Sequence, residues 1–204
     1  MTINFAMVEE WFPTQIMSGD ASHLIPIADK LFEMTDLTKH ENECYENGYT
    51  TYFSNVKYPD IGEVHKFQSD IIEYCTELAK IQGVDLETNK LEFGDMWLNS
   101  MGKDCAHESH VHGNSIYSGT FYVNNPEGSS KIRFHSPVRQ YYDFCLPPIL
   151  KSESGNRITC AFTEHQPFPG KLLLWNSWVR HEVMLNQSEK PRLSISFNIH
   201  VNKK

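Results

Sequence analysis

From about residue 90 onward the chain is cut into short runs that suit strands. LEFGDMWLN, SIYSGTFYV, SKIRFH, RITCAF, KLLLW and RLSISFNIHV follow one another, separated by NNPEGSS, SPVR, CLPP, ESGN and QPFPG. Runs rich in β-branched and aromatic residues, bounded by Gly, Pro and Asn, read as strands joined by tight turns. Many such strands at even spacing must close or cover their edges, so the expected core is an antiparallel sandwich or barrel.

The first half carries helical periodicity instead. In DASHLIPIADKLFEM, Leu24, Ile27, Ala28, Leu31 and Phe32 share a face, with Asp20 or Ser22 as caps. In KFQSDIIEYCTELAKIQG, Phe67, Ile71, Tyr74, Cys75, Leu78 and Ile81 form a second stripe that Gly83 ends. The length of 204 residues suits one domain: a helical N-terminal portion over 1–90, packed outside a β core over 91–204. The fold class expected is therefore mainly β with peripheral α.

Charge and cysteine usage narrow the partners. A net charge of −8 argues against a nucleic-acid backbone, which demands clustered Lys and Arg. Cys44, Cys75, Cys105, Cys145 and Cys160 are odd in number and show no CxxC spacing, so neither a disulfide framework nor a zinc ribbon fits. Free thiols suit a reducing compartment, and MTINFAMVEEWFPTQ has neither the basic nor the apolar region of a signal peptide. No apolar stretch is long enough to span a bilayer. A cytoplasmic protein with no membrane partner is the expectation.

Three histidines carry the candidate chemistry. In ESHVHGNS, His110 and His112 are two apart, and on a strand their side chains leave from one face. Both imidazoles then reach one ion at roughly 2.0–2.1 Å, although an ordinary polar strand edge would show the same pair. A third ligand would come from His181 in PGKLLLWNSWVRHEVMLN, whose apolar flank desolvates the ring. That environment suits a metal ligand, or a core histidine held by a carboxylate such as Glu182.

RLSISFNIHV alternates strictly. Leu193, Ile195, Phe197, Ile199 and Val201 face one way; Arg192, Ser194, Ser196, Asn198 and His200 face the other. On a surface strand the polar face meets water. In a barrel carrying external helices it lines the interior and puts Arg192 and Ser194 in a cavity, where a guanidinium fork matches a carboxylate.

SHVHGNSIYSGTFYV, KIRFHSPVR, FPGKLLLWNSWVRHEV and KPRLSISFN together resemble the 2-oxoglutarate- and iron(II)-dependent oxygenases. The likeness is strongest to a family of marine bacteria and cyanophages, and more distant to prolyl and aspartyl/asparaginyl hydroxylases. It spans roughly residues 91–201, with EEWFPTQI a loose extension. The resemblance implies a double-stranded β-helix of jelly-roll or cupin type. It makes His110 the first iron ligand and His181 the distal one, with His112 in the position of the family's carboxylate. Arg192 and Ser194 fall on the element that binds the distal carboxylate of 2-oxoglutarate, and Asn99, Tyr117 and Tyr122 are further pocket candidates. For the tyrosines simple core packing is the competing reading, because the inward face of SIYSGTFYV is left open.

His112 is the departure from the family pattern. If it coordinates, the site is all-nitrogen; if not, two histidines and a water hold the metal. Weak iron binding, or zinc in its place, is a third reading. His107, His135, Arg139 and His200 read as loop, turn and rim residues. The implied reaction consumes O2 and 2-oxoglutarate and hydroxylates a C–H bond of a peptide, amino acid or small metabolite chosen by loops such as 136–157. The rivals are a non-catalytic cupin-like binding module with a vestigial metal site, and a structural barrel whose histidines hold no metal.

Overall fold

A computed structural model describes residues 12–40, 47–54, 56, 58, 62–145 and 160–204. Cys44, the first three residues of EEWFPTQI and the first three of RITCAF lie outside them, as does the later part of the 136–157 loop. In chain order the elements are β1 (Ile16–Asp20), α1 (Ile25–Met34), β2 (Gly48–Thr50), α2 (Gly62–Ile81), β3 (Asn89–Met101), β4 (His107–His110), β5 (Tyr117–Tyr122), β6 (Ile132–His135), α3 (Arg139–Cys145), β7 (Phe162–His165), β8 (Lys171–Asn176), β9 (His181–Val183) and β10 (Arg192–Lys203).

The strands form two antiparallel sheets. The larger has the order β1-β8-β5-β10-β3-β2 and the smaller β4-β9-β6-β7. Both helices of the first half pack on the outer face of the larger sheet. Leu24, Ala28 and Leu31 from the first helical segment, with Phe67, Ile71, Cys75 and Leu78 of α2, form one core with Phe121, Leu172, Leu174, Phe197 and Ile199. Phe67 and Phe121 meet edge to face at 5.7 Å. Strand alternation then sends the intervening residues between the sheets, where Tyr122, Leu173, Trp175, Ile132, Phe134 and Val179 make a second cluster. After Lys171, β8 is an unbroken apolar run from Leu172 to Trp175 because it is buried on both faces.

Gly83 ends α2 as expected: its φ is +69°, and the Val84 N–H donates to the Ala79 carbonyl at 2.9 Å. Ile81 does not join the buried stripe. It is 65% exposed, sitting about a quarter-turn off the stripe's centre in the last turn. The N-terminal portion is not purely helical either, since β1 and β2 edge the larger sheet. Both are short, and β1 (IMSGD) has no apolar alternation. Helix α3 occupies the start of the expected 136–157 loop. No described helix is long and apolar enough to cross a membrane.

Candidate metal centre

A cavity of about 440 Å³ lies between the two sheets. At its smaller-sheet wall β4 pairs with β9, and His110 stands directly opposite His181. His112 follows just beyond β4, where its backbone N–H donates to the Ser177 carbonyl at 3.0 Å. One ligand atom from each of His110, His112 and His181 lies within 4.8 Å of the others. The ring centroids are 4.3 Å apart for His110 and His181, 5.0 Å for His110 and His112, and 5.2 Å for His112 and His181.

The backbone settles the tautomer of two rings. His110 Nδ1 lies 2.7 Å from the Glu108 carbonyl and His181 Nδ1 lies 3.0 Å from the Val179 carbonyl. A carbonyl only accepts, so both Nδ1 atoms carry the proton and both Nε2 atoms keep a free lone pair. Burial also keeps the rings neutral. It pushes His112 down to about 4 and His181 to about 3, with the neighbouring histidines adding to the effect. It lowers His110 as well, against the opposing pull of the Glu108 carbonyl. Trp175 closes the site against the His181 ring at 4.8 Å and Phe134 at 6.0 Å.

Glu182 does not hold His181. On a strand it points to the opposite face, where its carboxylate takes Arg133 at 3.2 Å and lies 3.3 Å from His135 Nε2. His107 departs from expectation in the other direction. It lies in β4 rather than a loop, lines the cavity, and meets the His110 ring at 4.2 Å. The pairing with β9 shifts between His107 and His110, so simple alternation could not have placed it.

The polar face of β10 lines the same cavity through Arg192, Ser194, Ser196 and Asn198. Arg192 is 2% exposed. It donates from Nη1 to the Ser130 carbonyl at 3.0 Å and from Nη2 to the Met101 sulfur at 2.8 Å, while Nε has no partner. Among the described residues no carboxylate pairs with it, and burial lowers its pKa. Tyr122 lies beneath the guanidinium, whose Cζ is 5.2 Å from the ring centre. Asn99 also lines the cavity, but its amide is already engaged by Thr50 at 2.8 Å and Ser196 at 3.1 Å.

Tyr117 is not at the cavity. It is five residues from Tyr122 on one strand, so the two face opposite ways. Its ring lies in the helix-side core and its hydroxyl donates to Gln82 Oε1 at 3.0 Å. His200 sits at the rim, near the Asn114 carbonyl at 2.7 Å. Trp97 and Trp175, which the sequence reading passed over, both line the cavity, and the Trp175 indole N–H is buried without a partner. Their positions on β3 and β8, in phase with Asn99 and Leu173, were the available signal.

Residues 95–198 match the family model described as "Putative 2OG-Fe(II) oxygenase". The chain belongs to that family. This oxygenase therefore draws on iron(II) and 2-oxoglutarate, and the residues present suit both: neutral histidines for the metal and a buried, unpaired guanidinium for a dicarboxylate. Solved oxygenases share its fold. A prolyl-4-hydroxylase from Pseudomonas putida is 12% identical and aligns over 91% of this chain and 92% of its own, with a TM-score of 0.58. The viral collagen prolyl hydroxylase of Paramecium Bursaria Chlorella virus-1, solved as its 2-oxoglutarate complex, is 11% identical over 90% and 94%, with a TM-score of 0.56. HygX from Streptomyces hygroscopicus, with nickel, 2-oxoglutarate and hygromycin B bound, is 14% identical over 92% and 83%, also at 0.56. No curated protein matches the sequence.

Proposed function

We propose that this oxygenase hydroxylates a C–H bond of a peptide, an amino acid or a small metabolite. In this reading His110, His112 and His181 hold the iron, and Arg192 takes the distal carboxylate of 2-oxoglutarate with Ser194 and Tyr122 beside it. When bound, the metal and cosubstrate supply the oxidising power: O2 is consumed, 2-oxoglutarate becomes succinate and carbon dioxide, and one oxygen atom goes to the substrate.

The chain's own residues bind, orient and exclude water. The Glu108 and Val179 carbonyls keep two imidazoles in the tautomer that offers Nε2 to the metal. Phe134 and Trp175 wall that side with apolar surface and so lower the local dielectric. The Arg192 guanidinium, anchored by the Ser130 carbonyl and the Met101 sulfur, lines the cavity with donors to spare for an anion. A volume of about 440 Å³ is ample for a five-carbon dicarboxylate and the reacting part of a second molecule.

The observation that carries the reading is the buried cation without an anion, in one cavity with three neutral histidines. A buried charge is retained only where something compensates it. The test is succinate formation from 2-oxoglutarate in the presence of iron(II) and O2. Wild-type protein should form it and His181→Ala should not. A protein that neither binds iron(II) nor is stabilised by 2-oxoglutarate would instead be a binding module or a structural barrel.

A further inference from the structure

The cavity wall holds two permanent charges, one opposite the C-terminal end of β3 and one on its middle. Arg192 pairs with Met101 at the enclosed end, whereas Asp95 lies six residues earlier, roughly 20 Å along the strand, and is exposed. Apart from histidines, these are the lining's only ionisable acid and base of fixed charge among the described residues. Asp95 sits where β3 slips register against β10, between the pairs Met96–Phe197 and Phe93–Ile199. Such bulges re-aim side chains next to sites. Among the described residues no lysine or arginine meets its carboxylate.

Beside it the lining is aromatic. Trp97 lies beside the histidines, its ring 5.8 Å from that of His112. Tyr52 packs edge-on against Trp97 at 5.0 Å and 67°, and Phe53 against Tyr52 at 5.1 Å and 84°. Nearly perpendicular rings make a corner rather than a flat platform. Tyr52 and Phe53 are 53% and 74% exposed, a large apolar surface to leave in water at the edge of a site.

From this juxtaposition we infer that the cavity mouth is a subsite for an organic cation, a protonated or methylated amine carried by the substrate. Ring faces attract such a cation through their quadrupoles, and an unpaired carboxylate adds the net charge that selects it over a neutral group of the same shape. The chain's net charge of −8 favours its approach. The two ends of the cavity then sort the two organic molecules: the dicarboxylate goes to Arg192, and the amine stays at Asp95. The inference rests on the oxygenase reading only in calling the amine-bearing molecule the substrate.

The probes are choline and 3,3-dimethylbutan-1-ol, which have the same shape and differ in charge. Both are titrated calorimetrically under nitrogen into protein loaded with iron(II) and 2-oxoglutarate, and into the metal-free protein. Choline should bind at least roughly tenfold more tightly than the alcohol. Asp95→Asn and Phe53→Leu should each weaken choline several-fold and leave 2-oxoglutarate affinity unchanged. Equal binding of choline and the alcohol would overturn the subsite, as would binding of neither by a protein that takes up 2-oxoglutarate normally. Failure of 2-oxoglutarate itself to bind would count against the oxygenase reading, and the choline comparison on the metal-free protein would still decide the subsite.

Discussion

Replacing Arg192 by Met separates two effects that most site mutations confound. The guanidinium is 2% exposed and its anchors are a carbonyl and a thioether, not an anion. An uncompensated buried charge costs several kcal/mol, so exchanging it for an apolar side chain of similar length should be neutral or stabilise the ligand-free fold by about 1–4 kcal/mol. The Ser130 carbonyl loses its donor, which offsets roughly 1 kcal/mol of that gain. Binding should respond oppositely. Removing one partner of a buried charge pair costs about 2–5 kcal/mol, a loss of roughly 30-fold to several-thousand-fold in 2-oxoglutarate affinity.

Thermal unfolding reads both effects. At a hundred times its Kd, 2-oxoglutarate stabilises the metal-loaded wild type by about 2.7 kcal/mol, a rise of roughly 5–10 °C for a chain of this size. At the same concentration a 30-fold weaker variant retains less than about 1 kcal/mol, under roughly 3 °C. A variant that loses more than about 3 kcal/mol without ligand, yet keeps the full 2-oxoglutarate shift, would show that Arg192 is a structural cation and refute the reasoning.

Other perturbations have equally definite outcomes. The folded pKa of His181, about 3, lies below the 6.5 of an exposed imidazole, so between those values the unfolded chain binds more protons. Metal-free stability should therefore be complete above pH 6.5 and fall as the pH drops toward 3, which chemical denaturation across that range would show. His112→Ala should lower iron(II) affinity at least about tenfold, while His112→Asp, which restores a carboxylate, should retain the metal. Unchanged affinity in His112→Ala, by anaerobic titration, would mean that water completes the site. A Cβ at Gly119 would fall 2.4 Å from Phe197 Cζ and 2.6 Å from Leu174 Cδ2. Gly119→Ala should then cost about 1–3 kcal/mol in urea unfolding, and a silent substitution would mean looser packing under the helices.

What could be read in advance follows from period and burial. β10 was legible because its alternation is unbroken: Ile195, Phe197 and Ile199 under the helices, Arg192 and Ser194 inside. α2 was legible because its stripe recurs through five turns and ends at a glycine. The elements that escaped are short and polar. HESH of β4 has no apolar member, and HEV of β9 has three residues, so neither carries a period. Yet these two strands set His110 against His181, which is why the ligands could be suspected from their residue types while their pairing could not. Tyr117 went the wrong way because SIYSGTFYV is buried on both faces, leaving no polar face to mark the inside. The corner of Tyr52, Phe53 and Trp97 joins residues about 45 apart in sequence through the edge pairing of β2 with β3, which no local pattern announces.

The central claim is that one cavity holds a metal on three histidines and a dicarboxylate on Arg192. A crystal structure of the protein grown with iron(II) and 2-oxoglutarate under nitrogen tests it most directly. The account predicts the ion at roughly 2.0–2.2 Å from Nε2 of His110, His112 and His181, with the distal carboxylate on the Arg192 guanidinium. An ion held elsewhere, or 2-oxoglutarate absent from Arg192 at saturating concentration, would contradict it.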